Sequence, residues 1–254
     1  MPLIAGRALL KRWRYVGVFA PELMICAADI RVGPLPRRWW AIAAPDGTLR
    51  EGAGAGRVGL RLEPGRLRLR RPEIRVELAL EDGPGVEVVS PTRAAYAWTR
   101  KQGGVRARGR VALPGRELEL DAEAVIDESA GYHDRKTAWL WSAGVGRGGG
   151  GERLAWNLVS GLHDAPEASE RTVWVEGEPR EVGPVEFRPD LSGVELPGGG
   201  SLSFSPWCAR EERLDLLLLR SAYRQPFGTF AGQLPGGLRL AAGHGVMEEH
   251  EALW

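Results

Sequence analysis

Cysteine, lysine and long apolar runs are all scarce in this 254-residue chain, and each scarcity removes a class of protein. Two cysteines, Cys26 and Cys208, make neither a metal-ligand spacing nor a disulfide framework. Both sit in apolar or aromatic sequence and are expected as buried free thiols. No uninterrupted apolar stretch reaches the roughly 18 residues that a membrane span needs. The apolar patch from Val16 to Ala20 is broken by Pro21, Glu22 and Asp29 and lacks a cleavage region, so no signal peptide is assigned and the cytoplasm is the expected location. The glycine-rich Gly146-Arg147-Gly148-Gly149-Gly150-Gly151 lacks the Lys-Ser/Thr ending of a phosphate loop and is read as a flexible connection between strands. Ser142, Ser160 and Ser205 lie in no nucleophile-elbow pattern, which argues against a serine hydrolase.

What is present is arginine, tryptophan and charge of both signs. Three of the 34 basic residues are lysines (Lys11, Lys101, Lys136) and the other 31 are arginines, a skew read as genome composition rather than phosphate binding. The formal net charge of +1 hides an asymmetry. Residues 1–116 carry 22 basic and 10 acidic side chains, whereas residues 117–254 carry 12 and 23. Hydrophobic residues make up 43% and charged ones 26%, an ordinary globular balance that excludes wholesale disorder. Ten tryptophans stand against five phenylalanines. So many large rings point to a core or a ligand cavity.

Period-two alternation dominates the chain. Leu67 and Leu69 alternate with Arg66, Arg68 and Arg70, and Ile74, Val76, Leu78 and Leu80 alternate with charged residues. Val105 to Leu113, the turn Leu113-Pro114-Gly115-Arg116 and Leu118 to Ala124 form the clearest hairpin, with arginines on one strand opposite acids on the other. The charge boundary therefore falls inside a hairpin and not at a linker. That favours arginines on a solvated or acid-paired face over a nucleic-acid surface. Leu214 to Leu219 reads as a strand buried on both sides, or else a short helix. With turn signals throughout and no strong helix, the fold class expected is all-β and antiparallel, a barrel or sandwich. Two β-rich halves, residues 1–125 and 126–254, are expected to pack as one continuous unit.

The densest polar cluster runs from Asp127 to Trp141. If Tyr132 to Arg135 is extended, Tyr132 and Asp134 share one face and His133 and Arg135 the other. One reading is a Tyr–Asp–Arg network closing a barrel end. The other is a site in which Asp134, its pKa raised by an aromatic cavity, donates a proton with Tyr132 or His133 assisting. Trp139, Trp141 and Trp156 would line that cavity, with Arg135, Glu248 and His250 as further ligand contacts. His244, Glu248 and His250 also point one way along a strand, but the spacing is not a helical His-Glu-x-x-His and no metal or other cofactor is assigned. His163-Asp164 reads as a solvated loop pair.

Three separated segments carry a resemblance: Lys11 to Phe19, Gly131 to Arg135 with Trp139 and Trp141, and Ser221 to Gly228 followed by Gly245 to His250. Together they are similar to the bacterial domain-of-unknown-function family 2804 over nearly the whole chain. More distantly, Tyr132-His133-Asp134 resembles the Tyr-His-Asp-His-Asn-Trp-Gly motif of the carotenoid hydratase group, whose fold is a pair of lipocalin-like barrels. After Asp134 this chain reads Arg135-Lys136-Thr137-Ala138 in place of the rest of that motif. The resemblance implies a lipocalin-like architecture and Asp134 as a general acid towards an alkene. The leading expectation is a hydrophobic small molecule bound in a Trp-lined barrel cavity. Its alternatives are an enzyme of the hydratase, isomerase or cyclase kind on an isoprenoid-like substrate, and an interaction protein using charged β faces. Neither nucleic acid nor a membrane span is expected, and the oligomeric state is left open.

Overall fold

The computed structural model describes all residues except Arg57, Leu217 and Leu218. The described residues are all-β, in two curled antiparallel half-barrel sheets of the lipocalin-like kind. The N-terminal sheet has ten strands. At its centre Lys11–Ala20 pairs on one side with Leu23–Val32 and on the other with Arg116–Gly131, which in turn pairs with Tyr96–Leu113. The C-terminal sheet has nine strands, centred on Lys136–Gly148, Leu238–Leu253 and Leu219–Leu234. A short ribbon, Ile4–Ala5 against Ala8–Leu9, precedes both.

The hairpin at Pro114-Gly115 forms with Arg110 opposite Glu119, Arg108 opposite Asp121 and Arg106 opposite Glu123. Gly115 takes φ +72°, which the two-residue turn requires. Arg106 and Arg108 both pair with Asp121, and Arg110 with Glu119, all in solvent. Exposed pairs of this kind contribute about 0–1 kcal/mol each. The strand Arg116–Gly131 runs through residue 125 without a break, and the chain passes from one sheet to the other at 132–135.

Alternation assigns each strand two faces, and the molecule uses both. Val16, Val18, Ile25 and Ile42 point into the N-terminal half-barrel, where Leu67, Leu69, Val76, Leu78 and Ile126 fill the interior. Trp156, Phe204, Phe230, Leu240 and Met247 fill the C-terminal one. The opposite faces meet in a seam between the sheets, where Tyr15, Cys26, Trp39 and Val125 pack against Trp141, Trp174, Phe227 and Val246. The run Val16 to Ala20 is accordingly part of a strand buried on both sides.

Two local expectations are corrected. Gly146, Arg147 and Gly148 continue the strand Lys136–Gly148, because Gly146 and Gly148 let Ala242 O and the Glu152 side chain approach where a Cβ would stand. Within Leu214 to Leu219, expected as a doubly buried strand or a short helix, Leu217 and Leu218 lie outside the described residues; the described Leu214 and Leu219 are only half-buried, Asp215 is exposed, and Leu214 stands opposite Ser221 in the pairing of Ser201–Leu216 with Leu219–Leu234.

Candidate functional site

The seam is not filled along its whole length. Near the Gly131–Lys136 crossing it opens into a cavity of about 370 Å³. Trp13 and Tyr15, alternate residues of Lys11–Ala20, form one wall with Trp39. Trp139 and Trp141, alternate residues of Lys136–Gly148, form the facing wall with Tyr223. The rings interlock: Tyr15 meets Trp141 edge-on at 5.2 Å and Trp39 lies 5.7 Å from Tyr223. Thus the cavity sits between the half-barrels and not inside either one, because aliphatic and aromatic side chains already occupy both interiors.

Besides Arg37, Glu212 and Arg220, two polar groups interrupt the aromatic lining. The first is built on Leu238–Leu253, where Glu248 and His250 share the seam face. Glu248 accepts hydrogen bonds from Trp139 Nε1 (2.8 Å), Tyr223 Oη (3.0 Å) and Gln225 Nε2 (3.0 Å). No cation pairs with it among the described residues. Burial pushes its carboxyl up to about 7, against the downward pull of those donors. His250 lies opposite both Trp139 and Tyr223, and its Nε2 is 2.8 Å from Ser221 Oγ. Burial lowers its pKa to about 4, so the ring is neutral at pH 7. Deeper in the seam, burial raises the Cys26 thiol, and the hydroxyl of Tyr15 donates to its Sγ at 2.9 Å.

The second polar group is an ion cluster. Lys101, 2% exposed, faces Asp127 across the ladder and reaches its Oδ1 at 2.6 Å and Glu170 Oε1 at 3.2 Å. Trp13 Nε1 donates to the other oxygen of Asp127 at 3.2 Å. Burial alone would lower Lys101, but the two carboxylates outweigh it and hold the ammonium above its ordinary value. Burial raises Glu170 in spite of Lys101. His163 joins this end of the cavity, with its pKa lowered by burial to about 4.

The structure divides the expected site residues. Trp139, Trp141, Glu248 and His250 come together in the cavity. Asp134 does not: it lies at the surface, where it accepts from Arg93 N at 3.1 Å and faces Arg93 Nε at 3.5 Å. The reason is local, since residues 132–134 form no strand and the parity argument has no ladder to act on. Tyr132 is buried outside the cavity, donating to Pro2 O at 2.7 Å. Arg135 is exposed, and its carbonyl accepts from Trp254 N at 2.8 Å. Trp156 belongs to the C-terminal interior, donating to Ser142 Oγ at 3.1 Å. His133 backs the cavity wall, stacked on Trp13 at 4.9 Å, with its ring held neutral by burial and a pKa near 3. His244 stands apart, near Trp207, and no three metal-ligating side chains converge among the described residues. Lys101, Glu170 and His163 were not among the expected site residues. His163 is largely enclosed where a solvated loop was expected.

The family model described as a domain of unknown function (DUF2804) matches residues 50–254. The chain belongs to this family. Among solved structures, the DUF2804 chain is similar to a putative AttH from Nitrosomonas europaea, at 14% identity and TM-score 0.64 over 98% of both chains. It is also similar to kievitone hydratase from Nectria haematococca, at 11% identity and TM-score 0.58, over 94% of this chain and 88% of that one. CghA aligns at 12% identity and TM-score 0.50, over 95% and 87%. At these identities the likeness is one of fold. No curated protein matches this DUF2804 chain.

Proposed function

We propose that this protein binds a small, largely apolar molecule in the cavity between its two half-barrels. The observation that carries the reading is an aromatic-walled space of about 370 Å³ at a seam that is otherwise tightly packed. Pockets of a few hundred Å³ with apolar walls and few polar groups are the usual form of small-molecule sites. Tryptophan fluorescence titrated with isoprenoid, fatty-acid and polyaromatic compounds tests it. Saturable quenching that is lost in Trp139→Ala is the expected result, and no saturation across the panel would count against the site.

Acid–base chemistry on the bound molecule is a second reading, and one feature favours it. Glu248 is a carboxyl poised near neutrality among rings that stabilise positive charge. For an alkene, the Glu248 proton would form the new C–H bond with the π electrons, leaving a cation on the neighbouring carbon between the ring faces. Water would then form the C–O bond and return a proton to the Glu248 carboxylate, for a net addition of water. Kievitone hydratase, a structural neighbour, is named for such an addition. Glu248 takes the acid role first considered for Asp134. Under this reading Glu248→Gln abolishes turnover while ligand still quenches fluorescence, and Asp134→Asn leaves turnover unchanged.

A further inference from the structure

The cavity carries more negative than positive charge. Four carboxyl groups line it (Asp127, Glu170, Glu212 and Glu248) against three cations (Arg37, Lys101 and Arg220). The two arginines belong to its solvent-facing end. Arg220 is exposed and pairs with the exposed Asp215, and the half-buried Arg37 pairs with Glu212, which Arg210 holds as well. That leaves Asp127, Glu170 and Glu248, and Lys101 is the one cation that pairs with any of them among the described residues. The shortage shows in the geometry. Lys101 reaches Asp127 and Glu170, yet Glu170 Oε2 stays sealed without a donor. Glu248 receives only neutral donors, from Trp139, Tyr223 and Gln225. Asp127, on the facing sheet, adds its repulsion to the burial that already disfavours charge on Glu248. Buried carboxylates are normally paired with a cation, and this set is one short.

The wall around Glu248 suits the missing cation. Its Oε1 accepts from Trp139 alone, and a carboxylate offers about four acceptor positions, so this oxygen can take a further N–H. A cation also sits favourably over the face of an indole or phenol ring. The lining rings do this already: the Arg210 guanidinium lies over Trp39 at 4.9 Å and over Tyr223 at 5.9 Å. Trp139, which donates to Glu248, and Trp141, opposite it in the ladder, carry no such cation among the described residues.

We infer that the ligand is an apolar amine, bound as its ammonium ion with Glu248 as counter-ion beside the rings of Trp139 and Trp141. The inference rests on the cavity being a ligand site, and it adds the class of ligand.

Three compounds on one rigid skeleton test it: 1-adamantylamine, which is charged at pH 7.5, 1-adamantanol and adamantane-1-carboxylate, titrated at that pH by calorimetry and tryptophan fluorescence. The amine is expected to bind about tenfold more tightly than the alcohol, the worth of one cation–ring contact away from water, and the carboxylate more weakly than the alcohol. In Glu248→Gln the amine should fall to the level of the alcohol while the alcohol itself is retained. Alcohol or carboxylate binding as tightly as the amine would overturn the ligand class. An amine preference that survives in Glu248→Gln would overturn Glu248 as the counter-ion. Failure of all three where the isoprenoid, fatty-acid and polyaromatic panel binds would overturn the amine alone, whereas failure of both sets would remove the cavity reading beneath it. The series on the unmodified protein decides the ligand class by itself, whether or not Glu248→Gln folds.

Discussion

Glu248 sets a pH dependence whose sign can be worked out. Its pKa is about 7 in the fold against 4.5 for an ordinary glutamate. Between these values the folded chain holds the extra proton, so its contribution is fully present below 4.5 and is lost as pH rises through 7. The loss is on the order of 3 kcal/mol. Glu248→Gln should erase that loss, so the variant gains melting temperature on wild type as pH is raised from 5 to 8. Parallel curves would mean that Glu248 is ionised without penalty. Lys101 offers a second check. Removing the ammonium in Lys101→Met leaves Asp127 and Glu170 buried against each other, at an expected cost of about 3–5 kcal/mol in urea unfolding. At this scale the sequence held an unused signal. Two of its three lysines are buried, whereas among the described arginines only Arg171 and Arg210 are. In a chain that otherwise writes basic positions as arginine, a retained lysine marks a place that needs a compact ammonium. Asp127 lay in the polar cluster noticed from sequence, but its partners Lys101 and Glu170 stand 26 and 43 residues away, and no local pattern joins them.

Strands were the most legible elements, because period-two alternation follows directly from the pleat. The Pro114-Gly115 hairpin stands in the register its charges implied. Less legible were the strands buried on both faces, such as Lys11–Ala20, since a run of apolar residues does not say that a second sheet covers it. Least legible was the crossing at Tyr132 to Arg135, where extended parity was assumed for a segment with no ladder. Glu248 and His250 were placed on one face correctly because Leu238–Leu253 is a regular strand there. Gly103 shows how one element locks to another. The register shifts between Gly103 and Val105, and a Cβ on Gly103 would stand 2.3 Å from the ring of Trp174 in the opposite sheet. Gly103→Ala is thus expected to cost about 1–3 kcal/mol by overpacking the seam. Urea unfolding that matches wild type would show that Trp174 can move aside freely.

For the whole molecule, the charge asymmetry turns out to be spent inside and across the sheets. Lys101 with Glu170 and Arg37 with Glu212 link basic N-terminal to acidic C-terminal positions, while Arg210 with Glu51 runs the other way. Both sheets contribute to one seam core, so we expect a single thermal unfolding transition in which fluorescence and circular dichroism coincide. Two resolved transitions would show that the half-barrels are stable separately. The same enclosure makes the fold sensitive to acid. His133, His163 and His250 have pKa values lowered by burial to about 3, 4 and 4, against an ordinary 6.5. The unfolded chain binds the extra protons, so stability falls as pH drops from 6.5 towards 4. Glu248 works the other way, regaining its contribution as pH falls from 7 to 4.5, so the histidines' loss is partly offset. The net loss is still several kcal/mol, on the order of half a domain's stability, and a cooperative acid transition is expected towards pH 4. Persistence of near-ultraviolet dichroism at pH 4 would contradict it.

The thiol of Cys26 turns the seam into a clock. It is fully enclosed where the sheets meet, hydrogen-bonded by Tyr15, and its pKa is raised by burial. A maleimide or disulfide reagent can reach it only while the halves part, whereas the half-buried Cys208 reacts without that event. The interval between the two labelling times therefore counts how often the halves separate in the folded population, and a molecule lodged between them should slow that count in proportion to its occupancy.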